Sequence, residues 1–158
     1  SVESSEKRQG LSRQIEVGRQ SKQNENRQMI LVDSSVWIDY FNGSITRQTN
    51  ILDSLVGNEL IVVGDLILSE VLQGFQQDKD FDKARELLDC FVFKEMLGKE
   101  IAVKSARNYR ILRKNGVTVR KTIDVIIATF CIENDLLLLH SDRDFRIMEE
   151  HLALKVMS

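Results

Sequence analysis

Four acidic residues stand at comparable places in the chain, each just after a short apolar run or one short helix beyond it. Asp33 closes Met29-Ile-Leu-Val-Asp33, and Asp142 ends Leu136-Leu-Leu-Leu-His-Ser-Asp142. Glu70 lies in Asp65-Leu-Ile-Leu-Ser-Glu-Val71, shortly after Leu60-Ile-Val-Val63, and Asp124 lies in Thr122-Ile-Asp-Val-Ile-Ile-Ala128. A carboxylate withdrawn from water is costly unless it is paired or holds a metal. Four of them delivered by separate elements to one rim of a sheet make an all-oxygen site. Such a site suits a hard divalent cation and the metal-assisted hydrolysis of phosphodiesters.

The elements that must position these acids are readable from the apolar pattern. Met29–Val32, Leu60–Val63 and Leu136–Leu139 are short and wholly apolar, as expected for strands buried on both faces. Phe91–Phe93 and Leu154–Met157 are further candidate strands. Between them the spacing predicts helices over Ser34/Ser35–Phe41, Ile45–Val56, Asp65–Phe75, Phe81–Phe91, Lys99–Lys114, Ile123–Glu133 and Asp142–Glu150. Ser34 or Ser35 and Thr122 are the expected caps, and Asn42-Gly43 and Asn115-Gly116 the expected stops. In the Lys99–Lys114 helix, Ile101, Ala102, Ser105, Ala106, Tyr109 and Leu112 are the expected inward face.

Strands alternating with helices indicate an α/β fold of three layers, α/β/α, with a mainly parallel central sheet of four to five strands. Ligands of such sheets bind at the carboxyl ends of the strands, where strand order reverses. Asp33 and Asp142 reach that rim directly. Glu70 and Asp124 reach it if their helices start there.

Bulk composition narrows the class. The chain has 158 residues, 42% of them hydrophobic and 29% charged, consistent with one domain and a substantial core. The apolar runs fall far short of the roughly 20 residues of a membrane span. Nothing near the start resembles the apolar region of a signal peptide, so a cytoplasmic protein is expected. Cys90 and Cys131 lie singly in apolar surroundings and are expected to be buried free thiols.

Net charge is −2, but residues 1–28 carry six Lys/Arg against four Glu, leaving −4 for the rest. That opening stretch is rich in Gln, Arg, Glu, Ser and Asn and too poor in apolar residues to offset its own ordering entropy. We read 1–28 as a flexible polar extension and 29–158 as the folded domain, with Met29 its natural start. An acidic body argues against general nucleic-acid binding, yet clustered metal-site carboxylates would account for the surplus.

Four stretches carry a specific resemblance: Ile30-Leu-Val-Asp-Ser-Ser-Val-Trp-Ile-Asp39, Leu68-Ser-Glu-Val-Leu-Gln-Gly74, Thr122-Ile-Asp-Val-Ile-Ile-Ala128 and Leu139-His-Ser-Asp-Arg-Asp-Phe145. In order and spacing, from about Met29 to Ser158, the chain resembles the PIN-domain nucleases and most closely the toxin ribonucleases of the VapC type. The resemblance implies a PIN fold and an endoribonuclease dependent on Mg²⁺ or Mn²⁺. It implies Asp33, Glu70, Asp124 and Asp142 as the catalytic and metal-binding acids, with Asp144 competing for the last place. It also implies RNA as substrate, a cognate VapB-like antitoxin and a homodimer.

Within that frame Asp33 and Asp124 are the expected direct ligands. Glu70, with its longer arm, is expected to act through water, or to position and deprotonate the nucleophile. Each acid also has an ordinary use: Asp33 and Asp142 as helix caps, Asp124 favouring a helix N-terminus, Glu70 as a solvated face. Ser34 and Ser141 have hydroxyls placed to bond the carboxylates. Asp39 and Asp65 are expected on the surface or as caps. His140 is expected in packing or at the rim, and Trp37 and Phe41 in the core or an interface.

Arg120 and Lys121, just before the Asp124 helix, are candidates to hold RNA phosphates. Arg107, Arg110, Arg113 and Lys114 repeat along another helix, with Arg110 the best candidate among them. A haloacid-dehalogenase-type phosphatase would need a second Asp two residues after the first, where Ser35 stands. A receiver domain would need an acidic pair and a late Lys that are not evident. A PIN-like interaction module with a dead site is opposed by the four intact acids.

Overall fold

The computed structural model describes residues 28–57 and 60–157; the expectations for residues 1–27 lie outside them. The elements run β1 (Met29–Val32), α1 (Ser34–Phe41), α2 (Arg47–Leu55), β2 (Leu60–Gly64), α3 (Asp65–Leu72), α4 (Asp78–Leu88), β3 (Val92–Lys94), α5 (Lys99–Lys114), α6 (Thr122–Glu133), β4 (Leu137–Leu139) and α7 (Arg143–His151). The strands form one parallel sheet in the order β3-β2-β1-β4.

Successive strand residues face opposite sides of a sheet. Ile30, Leu31 and Val32 are all at most 1% exposed, so both faces of β1 are covered. Helices α1 to α4 supply one set of mutual contacts and α5 to α7 another. The expected three-layer α/β/α architecture follows. α6 is the helix closest to a core element: Val125, Ile127, Ala128, Thr129, Phe130 and Cys131 are all buried. Its one buried hydroxyl is fully used, since Thr129 Oγ1 donates to the Val125 carbonyl at 2.7 Å and accepts from Asn108 Nδ2 at 2.9 Å.

The order of the strands creates the site. The chain leaves β1 toward β2 and β3 on one side, while β4 lies on the other side of β1. The reversal therefore falls between β1 and β4, and their carboxyl ends open onto the crevice where such sheets bind ligands. The start of α3 is held at the same rim. Asp65 Oδ1 accepts from its neighbour Leu66 N at 2.8 Å and from Met96 N at 3.0 Å. Met96 lies so close that a methyl group at Gly64 would sit 2.0 Å from its sulfur, so the β2–α3 turn requires glycine there.

Several expectations are corrected. Leu154–Met157 is not a strand: it makes one isolated parallel bridge, Leu138 to Val156, bonded by Leu138 N to Lys155 O and Met157 N to Leu138 O. The cap of α1 is Asp33, neither serine, because the carboxylate already reaches the first free N–H groups. Thr122 is the first residue of α6 rather than its cap. Ala102 and Ala106 are exposed, because α5 turns only a narrow stripe around Ser105 and Leu112 to the interior. Cys90 is exposed in the turn after α4, whereas Cys131 is buried as expected. Asn115-Gly116 does end α5, with Gly116 at φ +76°. Trp37 is buried and stacked on Phe41 at 5.9 Å.

Candidate metal centre

Asp33 leaves the end of β1 with its main-chain N–H bonded to Leu139 O of β4 at 2.9 Å. Its side chain turns back to cap α1. Oδ2 accepts from Ser35 N at 3.1 Å and from Ser35 Oγ at 2.6 Å. The residue is 4% exposed, and that burial holds its carboxyl above the ordinary carboxylate range despite the Ser35 bonds. Glu70, on α3, is half-buried, and its Oε1 accepts from Ser34 Oγ at 3.4 Å. Burial first, and then the charge of Asp33, raise its pKa.

Asp124 lies in the first turn of α6 and is 5% exposed. Its Oδ2 is buried without a hydrogen-bond partner. Burial, and then the charges of Asp33, Asp142 and Glu70, push its carboxyl up to about 7, against the opposing pull of Lys121. All four expected acids therefore meet electrostatically at Asp124. Asp142 caps α7, its Oδ1 accepting from Asp144 N at 2.9 Å. Carboxylate oxygens of Asp124, Asp142 and Asp144 lie within 4.8 Å of one another. The structure thus brings in Asp144 beside Asp142 rather than choosing between them.

Arg120 and Lys121, two of the predicted phosphate-holding cations, are at this cluster. Arg120 Nη2 lies 3.8 Å from Asp144 Oδ1, and Lys121 Nζ lies 3.9 Å from Asp142 Oδ2. Arg110 is exposed on α5 and has no ion pair to these acids among the described residues. Asp65 is the structural residue described above, and Asp39 is half-buried on α1.

His140 is half-buried at the rim. Its Nδ1 accepts from Asp142 N at 3.2 Å and its ring packs on Phe145 at 5.1 Å; burial lowers its pKa. Ser34 bonds a site carboxylate as expected. For Ser141 it is the main-chain N–H that engages, donating to Ser35 Oγ at 3.1 Å. Ser35 is the residue that sequence reasoning missed. The two-residue spacing from Asp33 was visible, but adjacent serines both look like caps.

The donor set fits a hard cation. Its donors are oxygens, one of them an orphaned buried acceptor, and burial together with the neighbouring carboxylates raises the Asp124 pKa, an environment that a bound cation would relieve. The fold and site define a class: a parallel α/β protein with an acidic, metal-type centre at its topological switch point. The chain belongs to the PIN domain family, whose pattern it matches over residues 30–150.

The chain is 27% identical over 135 residues to the VapC ribonuclease Mb1587 of Mycobacterium bovis, covering 82% of this chain and 98% of that protein. It matches ribonuclease VapC11 of Mycobacterium tuberculosis to the same extent. Among solved structures, the VapBC2 complex of Rickettsia felis bound to a promoter DNA fragment superposes with a TM-score of 0.68 at 13% identity, over 82% of this chain and 98% of that one. FitAcB of Neisseria gonorrhoeae superposes with a TM-score of 0.66 at 18% identity, over 82% and 97%. These superpositions support the PIN fold.

Proposed function

We propose that residues 29–158 form a VapC-type endoribonuclease that hydrolyses RNA phosphodiester bonds with Mg²⁺ or Mn²⁺. The observation that carries this reading is Asp124: a buried carboxylate with one oxygen unpartnered, surrounded by Asp33, Glu70, Asp142 and Asp144. The names of the bacterial relatives support RNA as the substrate.

A divalent ion would be held by Asp33 and Asp124, each fixed by a rigid element, with Asp142 and Asp144 beside them, and it would supply a water of lowered pKa and balance charge at the phosphate. Glu70, tied to Ser34 and raised in pKa, accepts the proton of the attacking water. Arg120 and Lys121 grip the flanking phosphates without reading bases.

The reading extends to partners. Structural neighbours include a toxin–antitoxin complex of Klebsiella pneumoniae and VapBC-1 of nontypeable Haemophilus influenzae. They support a cognate VapB-like antitoxin for this chain, and a homodimer belongs to the same reading. No helix among the described residues is long and apolar enough to cross a membrane. With an RNA substrate, that favours a cytoplasmic site of action.

The test is cleavage of total RNA by purified protein with Mg²⁺ or Mn²⁺ and with EDTA, beside Asp124→Asn. Cleavage that survives chelation, or that the variant retains, defeats the mechanism.

A further inference from the structure

Ser35 stands between the two halves of the acidic site. Its hydroxyl lies 2.6 Å from Asp33 Oδ2 and accepts from Ser141 N at 3.1 Å. A hydroxyl has one proton, and a main-chain N–H can only donate. The Ser35 proton must therefore point at Asp33. The result is a directed chain, Ser141 N–H to Ser35 O–H to the Asp33 carboxylate, running from the β4–α7 connection to the end of β1. Hydrogen bonds in series polarise one another, and the last one is charge-assisted.

The position of this chain matters. The β1–β4 ladder reaches its end at Asp33 N to Leu139 O, 2.9 Å. Beyond that bond the two backbones pass into α1, capped by Asp33, and α7, capped by Asp142. The Ser35 hydroxyl joins them one step further out. Ser141 directly precedes Asp142, whose own N–H is held by His140 Nδ1 at 3.2 Å. Capping α1 does not need this hydroxyl, because Ser35 N already reaches Asp33 Oδ2 at 3.1 Å.

We infer that Ser35 is a positioning residue of the metal centre: its hydroxyl pins one oxygen of Asp33, so fixing the direction of the other, and locks that carboxylate in register with the Asp142–Asp144 turn. The inference rests on the metal-dependent reading above. Removing a partner that orients a ligand typically weakens metal binding by about 10–100-fold.

The test is Mn²⁺ binding to the full chain without RNA, read as loss of the free-ion electron paramagnetic resonance signal, with thermal unfolding measured alongside. Ser35→Ala is expected to raise the Mn²⁺ dissociation constant by about 10-fold or more. Ser35→Thr, which keeps a hydroxyl, is expected to stay near the unsubstituted protein. Ser35→Cys, which offers only a weak donor, is expected to fall between. If Ser35→Ala fails to fold, the contrast between Thr and Cys carries the same comparison. Mn²⁺ affinity equal to that of the unsubstituted protein in the Ala variant, or in the Cys variant where Ala does not fold, even with a lowered unfolding temperature, makes Ser35 a cap only and overturns the inference. Absence of saturable Mn²⁺ binding in the unsubstituted protein overturns the metal centre itself, and this inference with it.

Discussion

The two sides of the acidic cluster manage their charge differently. Asp33 and Asp124 are buried, at 4% and 5% exposure, and are served by hydrogen bonds from Ser35 or, at Asp124 Oδ2, by nothing. Asp142 and Asp144 are half-buried and face Lys121 and Arg120. Charge on the first pair is opposed by Lys121 only in part, and the remainder calls for a proton or an ion held in the site. Charge on the second is balanced in part by two long, exposed side chains. Under the proposed function, metal demand would be concentrated at Asp33 and Asp124, and exchange with substrate phosphates at the Asp142–Asp144 side.

The sharpest way to break this division is to neutralise the buried side. Asp33→Asn and Asp124→Asn are each expected to abolish metal-dependent RNA cleavage, a larger loss than the roughly 10–100-fold that follows from removing an outer partner. The same substitution should leave the metal-free protein more stable, since it removes a buried charge. Cleavage assays and thermal unfolding in EDTA, on one preparation, check both. A variant that is inactive and also unfolded would show that the acids serve the core rather than the site.

The buried side should also govern how stability depends on pH. Asp124 titrates at about 7 in the folded protein against 3.8 ordinarily. Between those values the unfolded chain has given up its proton while the folded one keeps it. The folded state then binds more protons, and stability falls as pH rises. Burial raises Asp33 in the same direction. Urea unfolding in EDTA should show stability declining from about pH 4 to about pH 7, with Asp124 contributing up to about 4 kcal/mol at 1.4 kcal/mol per pKa unit. Asp124→Asn should flatten the decline, and saturating Mn²⁺ should reverse it. Stability that rises over this range would contradict the electrostatic description of Asp124.

Neutralising the exposed side should cost less. Asp142→Asn and Asp144→Asn are each expected to reduce cleavage less than Asp33→Asn or Asp124→Asn does, and raising Mn²⁺ should recover part of the activity. The sequence made this division hard to see, because Asp142-Arg-Asp144 places two acids around one turn and spacing cannot say which faces inward. Asp33 was legible because an all-apolar strand ends on it. Glu70 and Asp124 were legible only through their helices, whose starts the fold brings to the same rim. Ser35 was not legible, since Asp-Ser-Ser reads as a choice of caps and its second partner lies 106 residues away. The failed strand at Leu154–Met157 has a similar cause: apolar alternation records burial beside β4, not how many ladder bonds form.

The smallest effects should come from the cations, and they separate Arg120 and Lys121 from Arg110. Each phosphate contact to single-stranded RNA contributes about 0.7 to the slope of log affinity against log salt. In an Asp124→Asn background, where RNA stays uncut, Arg120→Ala and Lys121→Ala are each expected to lower that slope by about this amount. Arg110→Ala should change it less, since Arg110 stands on α5 without a contact to the acids among the described residues. Lys121 has a second role that makes it informative in the otherwise unsubstituted protein. It sits 3.9 Å from Asp142 and pulls the Asp124 pKa down, so it competes for the charge a metal would balance. Lys121→Ala should therefore weaken RNA binding while tightening Mn²⁺ binding. A loss of both would place Lys121 in the framework of the site instead of at its exchangeable edge.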